Sequence, residues 1–135
     1  SNQTLIFFIV GQLDNPLYEV DLVGQKELQA QCLQQFVLHA SLDAVDDAMW
    51  VTKDLHLKVV DKFNNMLVTA FVTPGNTRFL LLHDGRSDDA IRSFFMEVYE
   101  SYVKILMNPF HTPVTRITNK VFDDRVKRTA RKFFF

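Results

Sequence analysis

The chain has 135 residues, of which 47% are hydrophobic, 13% are aromatic and thirteen are Phe. This length and composition predict a single globular domain over residues 1–135 and exclude a disordered chain. The net charge of −1 argues against nucleic acid as the main ligand. The one cysteine, Cys32, excludes an internal disulfide and a zinc site built on several thiolates, so a reducing cytosol is the simplest compartment.

The opening segment predicts a β-hairpin. Residues 4–11 are apolar, short and bounded by Gly11, which is typical of a buried central strand. Asp14-Asn15-Pro16 supplies a turn, because Asn and Asp cap their own backbone and Pro presets φ. Residues 17–22 alternate between apolar and polar and predict a half-exposed second strand. The longest apolar run here is far below the ~20 residues that a helix needs to cross a bilayer.

Residues 25–50 predict a long helix, because they are rich in Gln, Leu and Ala and contain no Pro or Gly. At helical spacing this segment has two apolar faces, although one face is enough to cover a sheet. The first face holds Leu33, Phe36, Val37, Ala40, Ala44 and Ala48; the second holds Leu38, Leu42, Val45 and Met49. A polar strip with His39, Asp43 and Asp46 lies between them. The second face must be covered by another part of the chain or by a partner protein.

The remaining pattern predicts an antiparallel meander followed by two helices. Strands are expected over residues 55–60, 66–73 and 78–83, with turns at 63–65 and 73–76. Ser87 is the expected cap of a helix that Asn108-Pro109 ends, and Asp123-Asp124 opens a last short helix. The order β-β-α-β-β-β-α-α predicts an α+β fold: a five-stranded antiparallel sheet with helices on both faces.

No candidate for catalysis passes a physical test. Cys32 lies nearly two turns from His39, too far for a nucleophile and base to share a hydrogen bond, so a packing role is favoured. The carboxylates at 43, 46 and 47 come from one helical strip, which favours a solvated or partner-facing surface over a metal site. His83-Asp84-Gly85 is more typical of a turn than of a site. The four glycines form no phosphate-binding loop. The sequence therefore predicts a protein that is not an enzyme and needs no cofactor or metal.

Charge is divided unevenly along the chain. Residues 1–60 contain three Lys/Arg and eight Asp/Glu, whereas residues 61–135 contain twelve and eight. This asymmetry favours charge-complementary docking with partners. The last helix is basic and ends on Phe133, Phe134 and Phe135. Two interpretations stay open for it: a solvated helix whose Phe residues pack on the body, or contact with an acidic partner or membrane surface.

Specific strings in the chain resemble the sedlin family, small subunits of the TRAPP vesicle-tethering complex. The resemblance covers residues 5 to about 130 and is carried by 10–11 and 14–16 in the hairpin, 39–46 and 49–50 in the predicted helix, 60–64, 69–73, 78–79 and 82–84 in the meander, and 107–110 after it.

The resemblance implies a longin-like fold and a non-catalytic adaptor in a complex that tethers vesicles between endoplasmic reticulum and Golgi. It implies a location in the cytoplasm at the periphery of those organelles, and direct partners among the core and the larger complex-specific subunits. A Rab GTPase would be met only through the assembled complex, which carries out nucleotide exchange. The family's partner-contacting aspartate falls on Asp43.

We therefore expect a partner-binding surface formed by Leu38, His39, Leu42, Asp43, Val45, Asp46 and Met49. Two other functions stay open. A small longin-like carrier would bind an apolar ligand between helix and sheet, and a regulatory longin domain would bind a SNARE segment.

Overall fold

The computed structural model of the protein describes residues 5–11, 15–22, 43, 45–46, 56–63, 66–111 and 116–135; for 57–63 and 66 it describes the backbone alone. Most of the predicted helix over 25–50 lies outside these residues. So do Cys32, Leu38, His39, Leu42 and Met49, and the predictions made for them are not tested by the structure.

Five strands form one antiparallel sheet. They are β1 (Leu5–Val10), β2 (Pro16–Asp21), β3 (His56–Phe63), β4 (Met66–Val72) and β5 (Arg78–His83). Their order across the sheet is β2-β1-β5-β4-β3, and all four neighbouring pairs are antiparallel. β3 runs three residues beyond the predicted end at Val60. Residues 61–63 pair with the start of β4, so the hairpin includes Phe63, which the sequence analysis placed in the turn at 63–65.

β1 is the buried central strand that its unbroken apolar sequence predicts. All six of its side chains are buried, because both faces of the sheet are covered at this strand. Leu5, Phe7 and Ile9 belong to one core cluster, whereas Ile6, Phe8 and Val10 belong to a second. The division follows from the alternation of side chains along a strand.

The turn between β4 and β5 depends on local polar bonds. The backbone N–H of Thr73 donates to the carbonyl oxygen of Thr77 at 2.9 Å, and the Thr77 N–H donates to Thr73 Oγ1 at 3.0 Å. Asn76 has φ of 62°, a left-handed conformation that Asn tolerates better than most residues. The turn predicted at 73–76 is therefore confirmed.

Two helices cover the first face of the sheet. Helix α1 (Asp88–Leu106) places Ile91, Phe94, Phe95, Val98 and Tyr102 in the core. Ser87 stands at the expected N-cap position, but its side chain makes no capping hydrogen bond. The acidic pair at 88–89 remains favourable there because it lies at the positive end of the helix dipole.

Helix α2 (Lys120–Phe134) begins three residues before the predicted start at Asp123. Asn119 is the reason, since its side-chain oxygen accepts hydrogen bonds from the N–H groups of Val121 at 2.8 Å and Phe122 at 3.4 Å. At the other end, Phe134 is buried and packs on Phe94 with ring centroids 5.2 Å apart. For Phe134, the prediction that the terminal Phe residues pack on the body of the domain is therefore confirmed.

The abundance of Phe has a structural cause. The Phe7 ring meets Phe94 at 5.2 Å and Phe79 at 5.7 Å, both nearly edge to face. This geometry aligns the positive edge of one ring with the negative face of another and adds to the hydrophobic gain of burial.

The α+β class and the antiparallel sheet predicted from the sequence are confirmed, and the arrangement is consistent with a longin-like fold. On the second face of the sheet, the structure describes one helical side chain of the core. This is Val45, which is fully buried against Phe8, Val68 and Leu80 among others.

Candidate partner-binding surfaces

Three of the seven predicted partner-binding residues lie within the described part of the chain. Asp43, Val45 and Asp46 are all helical, and the two aspartates are exposed. Asp43 therefore presents a carboxylate to solvent, as a residue in partner contact would.

The prediction that Val45 faces a partner is wrong. Its side chain has no exposed surface, because it fills the cluster on the second face of the sheet together with Ile6, Phe8 and Val10. The sequence showed two apolar faces and could not tell which one the sheet would cover. The structure assigns Val45 to the core.

Asp46 has a partner within the chain. Its Oδ1 lies 3.3 Å from Nη1 of Arg78, the first residue of β5. Arg78 is 3% exposed, and its Nη2 donates to the carbonyl oxygen of Gly11 at 2.8 Å. A buried guanidinium needs both charge and hydrogen-bond partners. Asp46 thus connects its helical segment to the middle of the sheet, at the level where β1 ends and β5 begins.

A surface groove is formed by residues from the C-terminal half of the chain. It lies between the last turn of α1, the segment that follows it and the start of α2. Its volume is about 440 Å³. Ile105, Ile117 and Phe122 supply its apolar lining, and Phe110 and Val121 stand beside them. The Ile117 N–H donates to the Leu17 carbonyl oxygen at 2.7 Å, which ties this lining to β2.

The groove also has a basic rim formed by Lys104, Arg116 and Arg125, all exposed. None of the described residues that line it is acidic. The sequence analysis did not find this site. Its residues are spread over 101–125 and cross two helices, so only their packing brings them together; an apolar Phe110 directly after Asn108-Pro109 was the one local sign.

Two buried histidines serve the fold. His83 Nδ1 accepts hydrogen bonds from the N–H groups of Gly85 and Arg86, both at 3.1 Å, so its proton lies on Nε2, 2.8 Å from Thr69 Oγ1. Burial lowers the pKa of His83. Gly85 has φ of 115°, and the turn predicted at 83–85 is confirmed. His56 Nε2 lies 3.0 Å from Asp88 Oδ1 and connects β3 to the start of α1.

Tyr18 joins β2 to α2. Its hydroxyl donates to Asp123 Oδ1 at 2.5 Å, and Lys127 Nζ lies 2.8 Å from the other oxygen of the same carboxylate. Burial, followed by the neighbouring carboxylates, raises the pKa of Tyr18. Burial works against ionisation of Asp123, but its hydrogen bonds from Lys127 and Tyr18 outweigh it, and the pKa of Asp123 is lowered.

Within the described ranges, no three His, Cys, Asp or Glu side chains are grouped as metal ligands. Among the same residues, no helix combines the length and hydrophobicity needed to cross a membrane.

The strands and helices define a small α+β domain, with an antiparallel sheet consistent with a longin-like fold. The Sedlin family model matches residues 9–132, and the chain belongs to that family. It is 40% identical over 129 residues to the transport protein particle 20 kDa subunit of Schizosaccharomyces pombe, covering 93% of this chain and 95% of that protein.

Two further relatives carry related names. The protein named probable trafficking protein particle complex subunit 2 of Drosophila melanogaster is 40% identical over 134 residues, covering 96% of both chains. The trafficking protein particle complex subunit 20 of Saccharomyces cerevisiae is 31% identical over an alignment of 167 positions, gaps included. The alignment covers 93% of this chain and 95% of that protein.

Proposed function

We propose that this chain is a non-catalytic adaptor subunit of a TRAPP-type tethering complex. The observation that carries the proposal is its similarity, at about 40% identity and almost from end to end, to proteins named as subunits of transport and trafficking protein particles. The alignments cover nearly all of this chain and nearly all of each relative. The similarity therefore extends over the whole protein rather than over one shared module.

In this role the chain joins core subunits to the larger complex-specific subunits. The assembled complex then tethers vesicles between endoplasmic reticulum and Golgi and promotes nucleotide exchange on a Rab GTPase, with the exchange surface on other subunits. The chain itself acts in the cytoplasm at the periphery of these organelles. It has no catalytic residue, cofactor or nucleic-acid ligand, and any membrane contact is peripheral.

The proposed contact with a partner is centred on Asp43. Its carboxylate is exposed on a helical segment whose Val45 side chain is anchored in the core. A fixed, solvent-facing carboxylate suits a polar or basic patch on a partner. Asp46 extends this acidic surface while holding Arg78, and His39 stays in the proposal because the sequence pattern puts it on the same polar strip. Leu38, Leu42 and Met49 share the helical face of Val45 in that pattern, so the burial of Val45 removes them from the proposed surface.

Co-expression with the other subunits of a TRAPP complex tests the proposal. The chain should co-purify with them through size-exclusion chromatography. The assembled complex should accelerate nucleotide release from its Rab, and the purified chain alone should not. Exchange activity of the isolated, folded chain, or failure to enter any assembly, would refute the adaptor role.

A matched pair of variants tests the Asp43 surface. We expect Asp43→Leu to reduce co-purification while leaving the thermal midpoint of the isolated chain almost unchanged. Glu100→Leu is the control, since Glu100 is also an exposed helical carboxylate. Equal losses in binding and in thermal stability for Asp43→Leu would make Asp43 a structural residue instead.

The carrier alternative has one observation in its favour, the groove of about 440 Å³, which lies in the size range of small-ligand pockets. The described residues that line the groove lie within 101–125, and its basic rim does not suit a purely apolar ligand. Native mass spectrometry of the purified chain separates the two functions, because a carrier would retain a small molecule and an adaptor would give the bare mass.

A further inference from the structure

Exposed apolar side chains are concentrated in one stretch of the described chain. Of the six large hydrophobic side chains that are exposed among the described residues, four lie between 106 and 121. Phe110 is 93% exposed and Val121 is 66% exposed, and both line the groove between α1 and α2. Exposed apolar side chains that line one groove make it a candidate interaction site.

Hydrogen bonds fix the backbone of the segments that line the groove. Asn119 caps α2 on one side, and on the other side Asn108 Oδ1 accepts a hydrogen bond from the Phe110 N–H at 3.0 Å. The floor is fixed to β2 through the Ile117 N–H. A preformed site loses less conformational entropy on binding than one that must be ordered.

The rim cations are available to a ligand. In the described part of the chain, Lys104, Arg116 and Arg125 lie within salt-bridge distance of no carboxylate, whereas Lys127 and Lys132, also on α2, are paired with Asp123 and Glu97.

One lining atom also lacks a hydrogen-bond partner. Nε2 of His111 is buried, and no described group bonds to it. A buried polar atom left without a partner is unfavourable by about 1–3 kcal/mol. A ligand in the groove would reach this atom only after the His111 ring had turned, so the apolar floor and the basic rim carry the binding.

We propose that this groove binds an acidic segment of a partner protein, with one apolar side chain of that segment inserted beside Phe110 and its carboxylates on Lys104, Arg116 and Arg125. A concave site with an apolar floor accommodates a protruding side chain, which a flat lipid surface does not offer. The inference deepens the proposed adaptor role and rests on it, since it names the chemistry of one contact.

Peptide binding to the purified full chain tests the proposal. The chain is immobilised and offered a pool of random peptides in which half of the positions are Asp or Glu and one is Leu or Phe. A matched pool carries Asn and Gln in place of the acids. We expect retention from the acidic pool only, and fluorescence anisotropy of a retained peptide should show weaker binding at high salt.

Variants locate the binding. Lys104→Glu with Arg125→Glu should weaken binding of the retained peptide about tenfold, and Phe110→Ala should have an effect of similar size. The control is Arg92→Glu with Arg128→Glu, which makes the same charge change on the same two helices at exposed positions away from the groove, and it should stay within about twofold. If the Glu pair does not fold, Lys104→Gln with Arg125→Gln replaces it.

Several outcomes would overturn the proposal: equal retention of both pools, no retention of either, or equal weakening by the control pair. Binding to phosphatidylserine vesicles that depends on Lys104 and Arg125, without peptide binding, would assign the groove to a membrane. The adaptor role is tested separately, by co-purification with complex subunits and by the effect of Asp43→Leu on it. A failure of peptide binding with intact assembly therefore refutes the groove alone.

Discussion

Replacing Asp46 by Ala is expected to destabilise the fold, although its side chain lies on the surface. The substitution removes the carboxylate 3.3 Å from Nη1 of Arg78, a guanidinium that is 3% exposed. A buried cation that loses a charged partner keeps its desolvation penalty and loses part of the compensation.

The expected loss in free energy of unfolding is about 1–2 kcal/mol. Breaking a fully buried ion pair is unfavourable by about 3–5 kcal/mol, whereas an exposed pair contributes about 0.2–1 kcal/mol. The Asp46 side chain is 56% exposed, so solvent screens this pair. Arg78 also retains its hydrogen bond to Gly11 at 2.8 Å. For a chain of this size the loss corresponds to a fall of about 4–8 °C in Tm.

Urea denaturation monitored by circular dichroism measures this loss. Asp43→Ala is the matched control, and its free energy of unfolding should stay within about 0.5 kcal/mol of the parent value. A double-mutant cycle with Arg78→Met isolates the pair. The reasoning is refuted if Asp46→Ala has the same effect in the presence and absence of Arg78, or if Asp43→Ala destabilises the chain equally.

Three further predictions concern groups inside the fold. Because the pKa of His83 is lowered from 6.5, the unfolded chain takes up the proton first; stability should fall as pH drops below about 6.5, and less so in His83→Gln. Tyr18→Phe should lower the free energy of unfolding by about 1–2 kcal/mol and raise the pKa of Asp123, measured by NMR titration. Gly11→Ala should destabilise by about 1 kcal/mol, because an added Cβ would lie 2.5 Å from Asn15 Oδ1 and the Asn15 side chain would have to shift.

Controls make these three outcomes specific. The difference between parent and His83→Gln across the pH series removes the contribution of the other histidines, and parallel curves would contradict the prediction. The stability that ionised Asp123 contributes is present above about pH 3.8 and lost as pH falls through its lowered pKa, so Tyr18→Phe should flatten the acid limb. Gly75→Ala is the control for Gly11→Ala, since its nearest atom lies 4.0 Å away; equal destabilisation would rule out a clash at Gly11.

The strands could be predicted because their patterns are local. An unbroken apolar run identified β1 as buried on both faces, and turn residues separated β4 from β5. The start of α2 was missed because Asn119 acts as its cap while the more conspicuous acidic pair follows at 123–124. The orientation of Val45 could not be predicted, since both apolar faces of its segment suit burial equally and only contact with β1, β4 and β5 selects one.

The sequence by itself determined the α+β class, the burial of β1 and, through its resemblance to sedlin, the kind of assembly proposed for the chain. These depend on composition, on periodicity and on short strings of adjacent residues. The tertiary structure alone decided that Asp46 holds a buried arginine and that Lys104, Phe110, Arg116 and Arg125 border one groove. Such sites join residues that are distant along the chain, and their positions depend on how helices and sheet pack rather than on any local pattern.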